Sequence, residues 1–171
     1  MHVMIATDGS LDPTSAAHLA ASLAGSDGEV TVYTAIEVPR KLLDEMRRAA
    51  THPVDDELVE EYNVEFRRER AGDPPATHWV GDDAVIERYV RLKVRERTAD
   101  LAEALEAAGS TFTVVGEDGE NPARLVLGAA EAKQVDVLCV GTHGHGRFEG
   151  LLGSMSTKLA RLAPCSVLLV R

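Results

Sequence analysis

Short β-rich runs of apolar residues alternate along this chain with stretches whose apolar positions recur every three or four residues. The run HVMIA at 2–6 is followed by TDGS and then by Asp12-Pro13, a helix start in which Asp12 caps and Pro13 takes the first helical position. Leu19 and Leu23, with Ala16 and Ala20, make the expected helical stripe, and Gly25 supplies the stop. EVTVYTAIEV at 29–38 predicts a second strand and STFTVV at 110–115 a third. Asn121-Pro122 repeats the cap-and-proline device before a helix carrying Leu125, Val126 and Ala129. VDVLCVG at 135–141 is almost continuously apolar, the pattern of a strand buried on both faces. Ser154 is expected to cap a helix bearing Met155, Leu159 and Leu162 and ended by Pro164; SVLLVR at 166–171 closes the series as a fifth strand. Strands alternating with helices imply right-handed βαβ units. The expected fold class is α/β: a single doubly wound, Rossmann-like, five-stranded parallel sheet with helices on both faces.

The rhythm breaks over 39–109. DDAVIERYVRLKVRERTADLAEALEAAG predicts a long helix, with Ile86, Val90, Val94, Leu101 and Leu105 at helical spacing. Upstream, PRKLLDEMRRAA and DDELVEEYNVEFRRER both pattern as helices, and AGDPPATHWVGDD is a loop holding Trp79, the only tryptophan. Residues 39–83 therefore read as a helical insertion after the second strand, longer than a strand-to-helix connection needs. It is either a decorative hairpin or a cover over the carboxyl edge of the sheet. With no repeat and no low-complexity tract, residues 1–171 are expected to form one domain.

Composition narrows the function classes. Aromatics make up only 4% of the chain, so aliphatic residues must build the core. The formal net charge of −10 argues against a nucleic-acid groove, because a phosphate backbone demands a basic face. No apolar run approaches the roughly 20 residues of a membrane span, so no membrane partner is expected. Nothing ahead of the first strand marks an export signal, and a cytoplasmic location is the expectation. Only four of the 18 basic residues are lysines, which suits a salt-rich cytoplasm or a GC-rich genome equally. Cys139 and Cys165 lie in apolar stretches and read as buried, reduced core residues.

The candidate chemistry lies in VGTHGHGRFEGLLGSMSTKL, residues 140–159. Glycine costs backbone entropy, so a cluster of glycines is either a connector or a backbone bent to hold something. In open α/β sheets, ligands bind outside the carboxyl ends of the strands, where the strand order reverses. ATDGS, TAIEV and GTHGHG all end on that edge. Gly141 and Gly144 let the chain leave the fourth strand in conformations closed to other residues. Gly153-Ser154 begins a helix whose unpaired N–H groups and positive dipole end attract an anion, and Ser154 and Ser156 add hydroxyl donors. This is a phosphate cradle in outline. It is not the G-x-x-x-x-G-K-[ST] loop, and no G-x-G-x-x-G follows the first strand.

IATDGS near the start, NPARLVLGAAEAKQVDVLCVGTHGHG in the second half and LLGSMSTKLARLAPCSVLLVR at the end, in that order, resemble the universal stress protein family. Roughly two-thirds of the chain takes part. The resemblance implies a regulatory protein. Nucleotide-binding members carry G-x2-G-x9-G-[ST], whose loop and following helix hold the phosphates of ATP, with or without Mg²⁺. Carried over by position, Asp8 and Ala35 flank the adenosine, and Gly141, His143, Gly144, Gly153, Ser154, Met155 and Ser156 line the phosphates. This sequence has eight residues between Gly144 and Gly153, one fewer than the pattern, and His145 where the family usually has Arg or Lys. The resemblance also implies a homodimer paired through the last strand, residues 165–171.

Other chemistries fit less well. His143-x-His145 lacks a third ligand nearby, so no metal is assigned. Ser10 stands in DGS and not in G-x-S-x-G, against a hydrolase elbow. A response-regulator-like phosphoacceptor role for Asp8 would want an acidic pair nearby, a Thr or Ser after the fourth strand and a Lys after the fifth; Thr142 fits, but no Lys follows the fifth strand in this sequence. No carboxylate or histidine is specified as a general base, so no catalytic residue is named. The reading favoured is an ATP-binding regulatory protein. Its alternatives are a stress-family dimer that binds no nucleotide and acts through protein partners, and a slow ATP hydrolase.

Overall fold

The computed structural model describes residues 1–41, 44, 82–142 and 153–171. In chain order these form β1 (His2–Ala6), α1 (Pro13–Ala24), β2 (Glu29–Ile36), α2 (Asp82–Ala107), β3 (Phe112–Asp118), α3 (Pro122–Ala132), β4 (Val137–Gly141), α4 (Ser154–Leu162) and β5 (Ser166–Val170). The strands make one five-stranded sheet in the order β3-β2-β1-β4-β5, and every pairing is parallel. Succession runs outward from β1 through β2 to β3, then returns to β4 on the other flank of β1. The reversal between β1 and β4 is the switch point of a doubly wound α/β fold.

The chain divides into two compact units, residues 1–38 with 89–171, and residues 39–88. The sheet, α1, α3, α4 and α2 from Tyr89 onward belong to the first. The two insertion helices and the Trp79 loop expected within 39–83 lie outside the described residues, apart from the ends of that segment.

Strand alternation builds two cores, one on each face of the sheet. Val3 and Ile5 of β1, Val30 and Val32 of β2 and Cys139 of β4 face one way, against Ala16, Ala17 and Ala20 of α1 and Leu101 and Leu105 of α2. Met4, Tyr33, Leu138 and Val140 face the other way, against Ala123, Val126, Ala129 and Ala130 of α3 and Leu159 of α4. This is period-two burial of strands sandwiched between helix layers.

Local chemistry sets the helix starts as the sequence indicates for two helices. Asp12 accepts from the Ser15 N–H at 2.7 Å with Pro13 behind it, and Asn121 accepts from the Arg124 N–H at 3.2 Å with Pro122 behind it. The third start differs: Gly153 is the cap residue of α4 and Ser154 the first helical residue, so Ser154 does not cap.

Side-chain stripes differ in detail as well. On α1 the alanines are buried, while Leu19 and Leu23 are 36% and 37% exposed. A helix lying close to a sheet puts its smallest residues at the contact and turns larger ones to the margin. On α4, Leu159 is buried but Met155 and Leu162 are 39% and 57% exposed. Cys139 is buried and Cys165 only half-buried, because Cys165 precedes the last strand at the end of the sheet. β2 stops at Ile36, two residues short of the predicted end, while β3 runs three residues past its predicted end. Gly116, Glu117 and Asp118 continue pairing with Thr34, Ala35 and Ile36, a backbone ladder that the polar side chains do not announce.

Candidate functional site

One row of the sheet register, Tyr33, Ala6 and Val140 across β2, β1 and β4, is the floor of a cleft at the carboxyl edge. Its volume is about 500 Å³, within the range of small-ligand sites. Val126 of α3 and Leu159 of α4 complete the apolar base. The rim is polar, and each part comes from a different element.

The loop after β1 supplies Thr7, Asp8 and Ser10. Thr7 continues the ladder, donating its N–H to Tyr33 O at 3.0 Å. Gly9 then takes φ +92°, a left-handed conformation that side chains rarely adopt, and donates to Thr7 Oγ1 at 3.0 Å. Asp8 stands exposed at the cleft, with Oδ1 accepting from both the N–H and the hydroxyl of Ser10. The turn holds its carboxylate in one direction.

β2 contributes Ala35 and, just past its end, Glu37. Beneath them the Tyr33 hydroxyl donates to Glu117 Oε2 at 2.9 Å. Burial first, and then the Glu117 carboxylate, push the phenol well above its ordinary value of 10.0, so it stays protonated. On the far flank Gly141 ends β4, and Gly153, Ser154, Met155 and Ser156 open α4 against the same cleft. Thr142 joins these pieces: its N–H donates to Val170 O at 2.9 Å, and its carbonyl accepts from the Gly153 N–H at 3.0 Å.

The start of α4 is the electropositive pole. The first intrahelical bond here runs from Thr157 N–H to Gly153 O, and no side chain caps the turn. Among the described residues the N–H groups of Ser154, Met155 and Ser156 have no partner, and these residues line the cleft at the positive end of the helix dipole. α1 and α3, by contrast, cap their own first turns. Ser156 is buried, and its hydroxyl donates to Gly141 O at 2.6 Å, so its hydroxyl proton is held by the protein and only its backbone N–H is offered. That revises the expectation that Ser156 adds a hydroxyl donor.

Of the residues singled out from sequence, Asp8, Ala35, Gly141, Gly153, Ser154, Met155 and Ser156 line this one cleft. His143 and Gly144 lie outside the described residues, as does the rest of the glycine loop through 152. The sequence reading missed Arg97. It lines the cleft from α2, and its Nη1 donates to Ala35 O at 2.9 Å across 62 positions of sequence. One arginine in a helix rich in arginine carries no local signal of that placement.

A cleft at the switch point with an uncapped helix start on its rim is the arrangement of a doubly wound α/β protein, whose crevice lies outside the carboxyl ends of the strands. The chain belongs to the universal stress protein family, whose model matches residues 1–171. A universal stress protein of Thermus aquaticus is 37% identical over 82 residues, covering 44% of this chain and 60% of that protein. Universal stress protein YxiE of Bacillus subtilis is 36% identical over 81 residues, 47% of this chain and 52% of its own length. The matched stretches thus span only about half to three-fifths of these relatives. Among solved structures, a universal stress protein in complex with cAMP superposes with a TM-score of 0.56 at 24% identity, covering 100% of this chain and 97% of that one. A family protein from Arabidopsis thaliana with AMP bound gives 0.52 at 14% identity, over 99% and 90%. These likenesses establish the fold. No described helix is long and apolar enough to cross a membrane.

Proposed function

We propose that this protein is a cytoplasmic regulatory member of its family that binds ATP or a related adenine nucleotide in the switch-point cleft. The observation that carries this is the uncapped start of α4 beside Gly141, with free N–H groups directed at an apolar-floored cleft. The structural neighbours that hold cAMP and AMP support the choice of adenine nucleotides. The base and ribose lie toward Asp8 and Ala35, the phosphates toward Gly141, Gly153, Ser154, Met155 and Ser156. His143 and Gly144 are assigned to the phosphates by sequence alone. Local donors must supply the affinity, since a chain of net charge −10 repels a polyanion at long range. Mg²⁺ on the phosphates reduces that repulsion. The output is conformational or passes through a partner. The functional unit is one domain over 1–171 with the 39–83 segment as an insertion. Two copies pair through residues 165–171.

Nucleotide binding is tested by thermal melting of protein stripped of bound nucleotide. A ligand at 100 times its dissociation constant stabilises the fold by about 2.7 kcal/mol, a rise of roughly 5–10 °C for a chain of this size. Ser154→Asp puts a carboxylate where the phosphate is expected. An acidic residue in the first turn suits the helix dipole, so the unliganded melting temperature should hold or rise while the nucleotide shift disappears. A wild-type protein that millimolar Mg-ATP and AMP leave unshifted ends this reading and favours the family dimer that binds no nucleotide.

A further inference from the structure

Arg97 reaches the cleft from α2. Its stem lies on Gly9: a Cβ placed on that glycine would sit 3.4–3.6 Å from Arg97 Cα, Cγ and Cβ, in ordinary van der Waals contact. α2 and the loop after β1 therefore pack at ordinary contact distance here, and the guanidinium extends over the end of β2. There Nη1 donates to Ala35 O at 2.9 Å, and the residue lines the cleft wall.

A guanidinium carries several N–H donors in a fixed plane and is charged at every accessible pH. The Ala35 carbonyl has two lone pairs, of which Arg97 engages one. The two groups therefore set an acceptor and a donor side by side at one end of the cleft. That pair is complementary to the edge of an adenine ring, where the exocyclic amine donates and the adjoining ring nitrogen accepts. A 6-oxopurine reverses the order. Its keto oxygen would face the Ala35 carbonyl and its ring N–H would face the guanidinium, both unfavourable.

We infer that Arg97 is a specificity-determining residue for the base. With the Ala35 carbonyl it reads the amine and ring nitrogen of a 6-aminopurine and rejects a 6-oxopurine. This rests on the nucleotide reading above and deepens it. A contact serving only to tie α2 to β2 would hold the fold together without distinguishing one purine from another.

Isothermal titration of nucleotide-free protein with AMP and with IMP separates these roles, because the two ligands share ribose and phosphate and differ only at the base. Wild type should prefer AMP by about tenfold or more, the scale of a charge-assisted hydrogen bond gained and one unfavourable contact avoided. Arg97→Met should bring the preference close to unity, chiefly by weakening AMP. Arg97→Lys keeps an aliphatic stem and one donor for the carbonyl, so it preserves the tie to β2 if Arg97→Met fails to fold. It should still lose most of the preference, lacking a planar second donor. An AMP-to-IMP ratio that stays at its wild-type value in either variant overturns the inference and leaves nucleotide binding standing, as does a wild-type preference for IMP. Failure of both nucleotides to bind the wild-type protein overturns the nucleotide reading and this inference together.

Discussion

Ser156 and Cys139 are both buried, and their environments lead to different experiments. The Ser156 hydroxyl is bonded to Gly141 O, so Ser156→Ala leaves a strand-end carbonyl without its partner. The expected cost is about 1–2 kcal/mol, lowering the melting temperature by a few degrees. The nucleotide shift should persist, since the backbone N–H at 156 survives the change. A lost shift at unchanged stability would instead assign the hydroxyl to the ligand. Cys139 lies in the core, and burial pushes its thiol from 9.0 up to about 11. Ionisation therefore begins in the unfolded chain before it begins in the folded one. The stabilisation that this buried neutral thiol contributes is complete below pH 9 and is lost as pH rises toward 11. Cys139→Val should flatten that part of the alkaline decline, read as urea midpoints at pH 8, 10 and 11 under reducing conditions. Parallel curves for the two proteins would contradict it.

At the scale of elements, the seat of α2 on the sheet is decided by one glycine. A Cβ on Gly116 of β3 would lie 2.0 Å from Val94 Cγ2, far inside contact distance. Valine is stiff at χ1 and cannot swing its methyl clear within a helix. Gly116→Ala should therefore displace α2 or strain β3, at about 1–3 kcal/mol, the usual cost of overpacking. Chemical denaturation measures it, and a loss below 0.5 kcal/mol would mean that the helix rides on its flanking contacts. Since Arg97 belongs to the same helix as Val94, the substitution should also weaken AMP binding more than the phosphate contacts alone predict. The helix starts divide in the same way. α1 and α3 carry their caps in sequence, as Asp12-Pro13 and Asn121-Pro122. α4 does not, and its uncapped first turn lines the cleft.

At the scale of the whole molecule, the open question is assembly. β5 is the terminal strand of the sheet, and Leu169 on it is 39% exposed. An apolar edge strand is a template for pairing, and a two-fold axis satisfies both copies at once. The proposed homodimer should sediment near twice 18.4 kDa at micromolar concentration, and Leu169→Lys should shift it to monomer. A wild-type protein that runs as a monodisperse monomer would exclude pairing through 165–171. Arg97 meets the cleft at the end of β2, across the sheet from the β5 edge, so dimer disruption should leave the AMP preference intact.

Sequence by itself determined the parts of this protein that depend on neighbours along the chain. Period-two apolar runs, proline-backed caps and the apolar VDVLCVG run specify strands and helices locally, and their alternation forces a parallel sheet. Motif order carried the family and seven cleft residues, because the loops at strand ends are short enough for sequence position to imply spatial position. Only the tertiary structure decided what depends on distant packing. The continuation of β3 through Gly116–Asp118 comes from a ladder with β2. The burial of the α1 alanines in place of Leu19 and Leu23 comes from the closeness of helix to sheet. The meeting of Arg97 with Ala35 comes from α2 crossing Gly9. None of these has a local signature, since each is set by the distance between elements far apart in the chain.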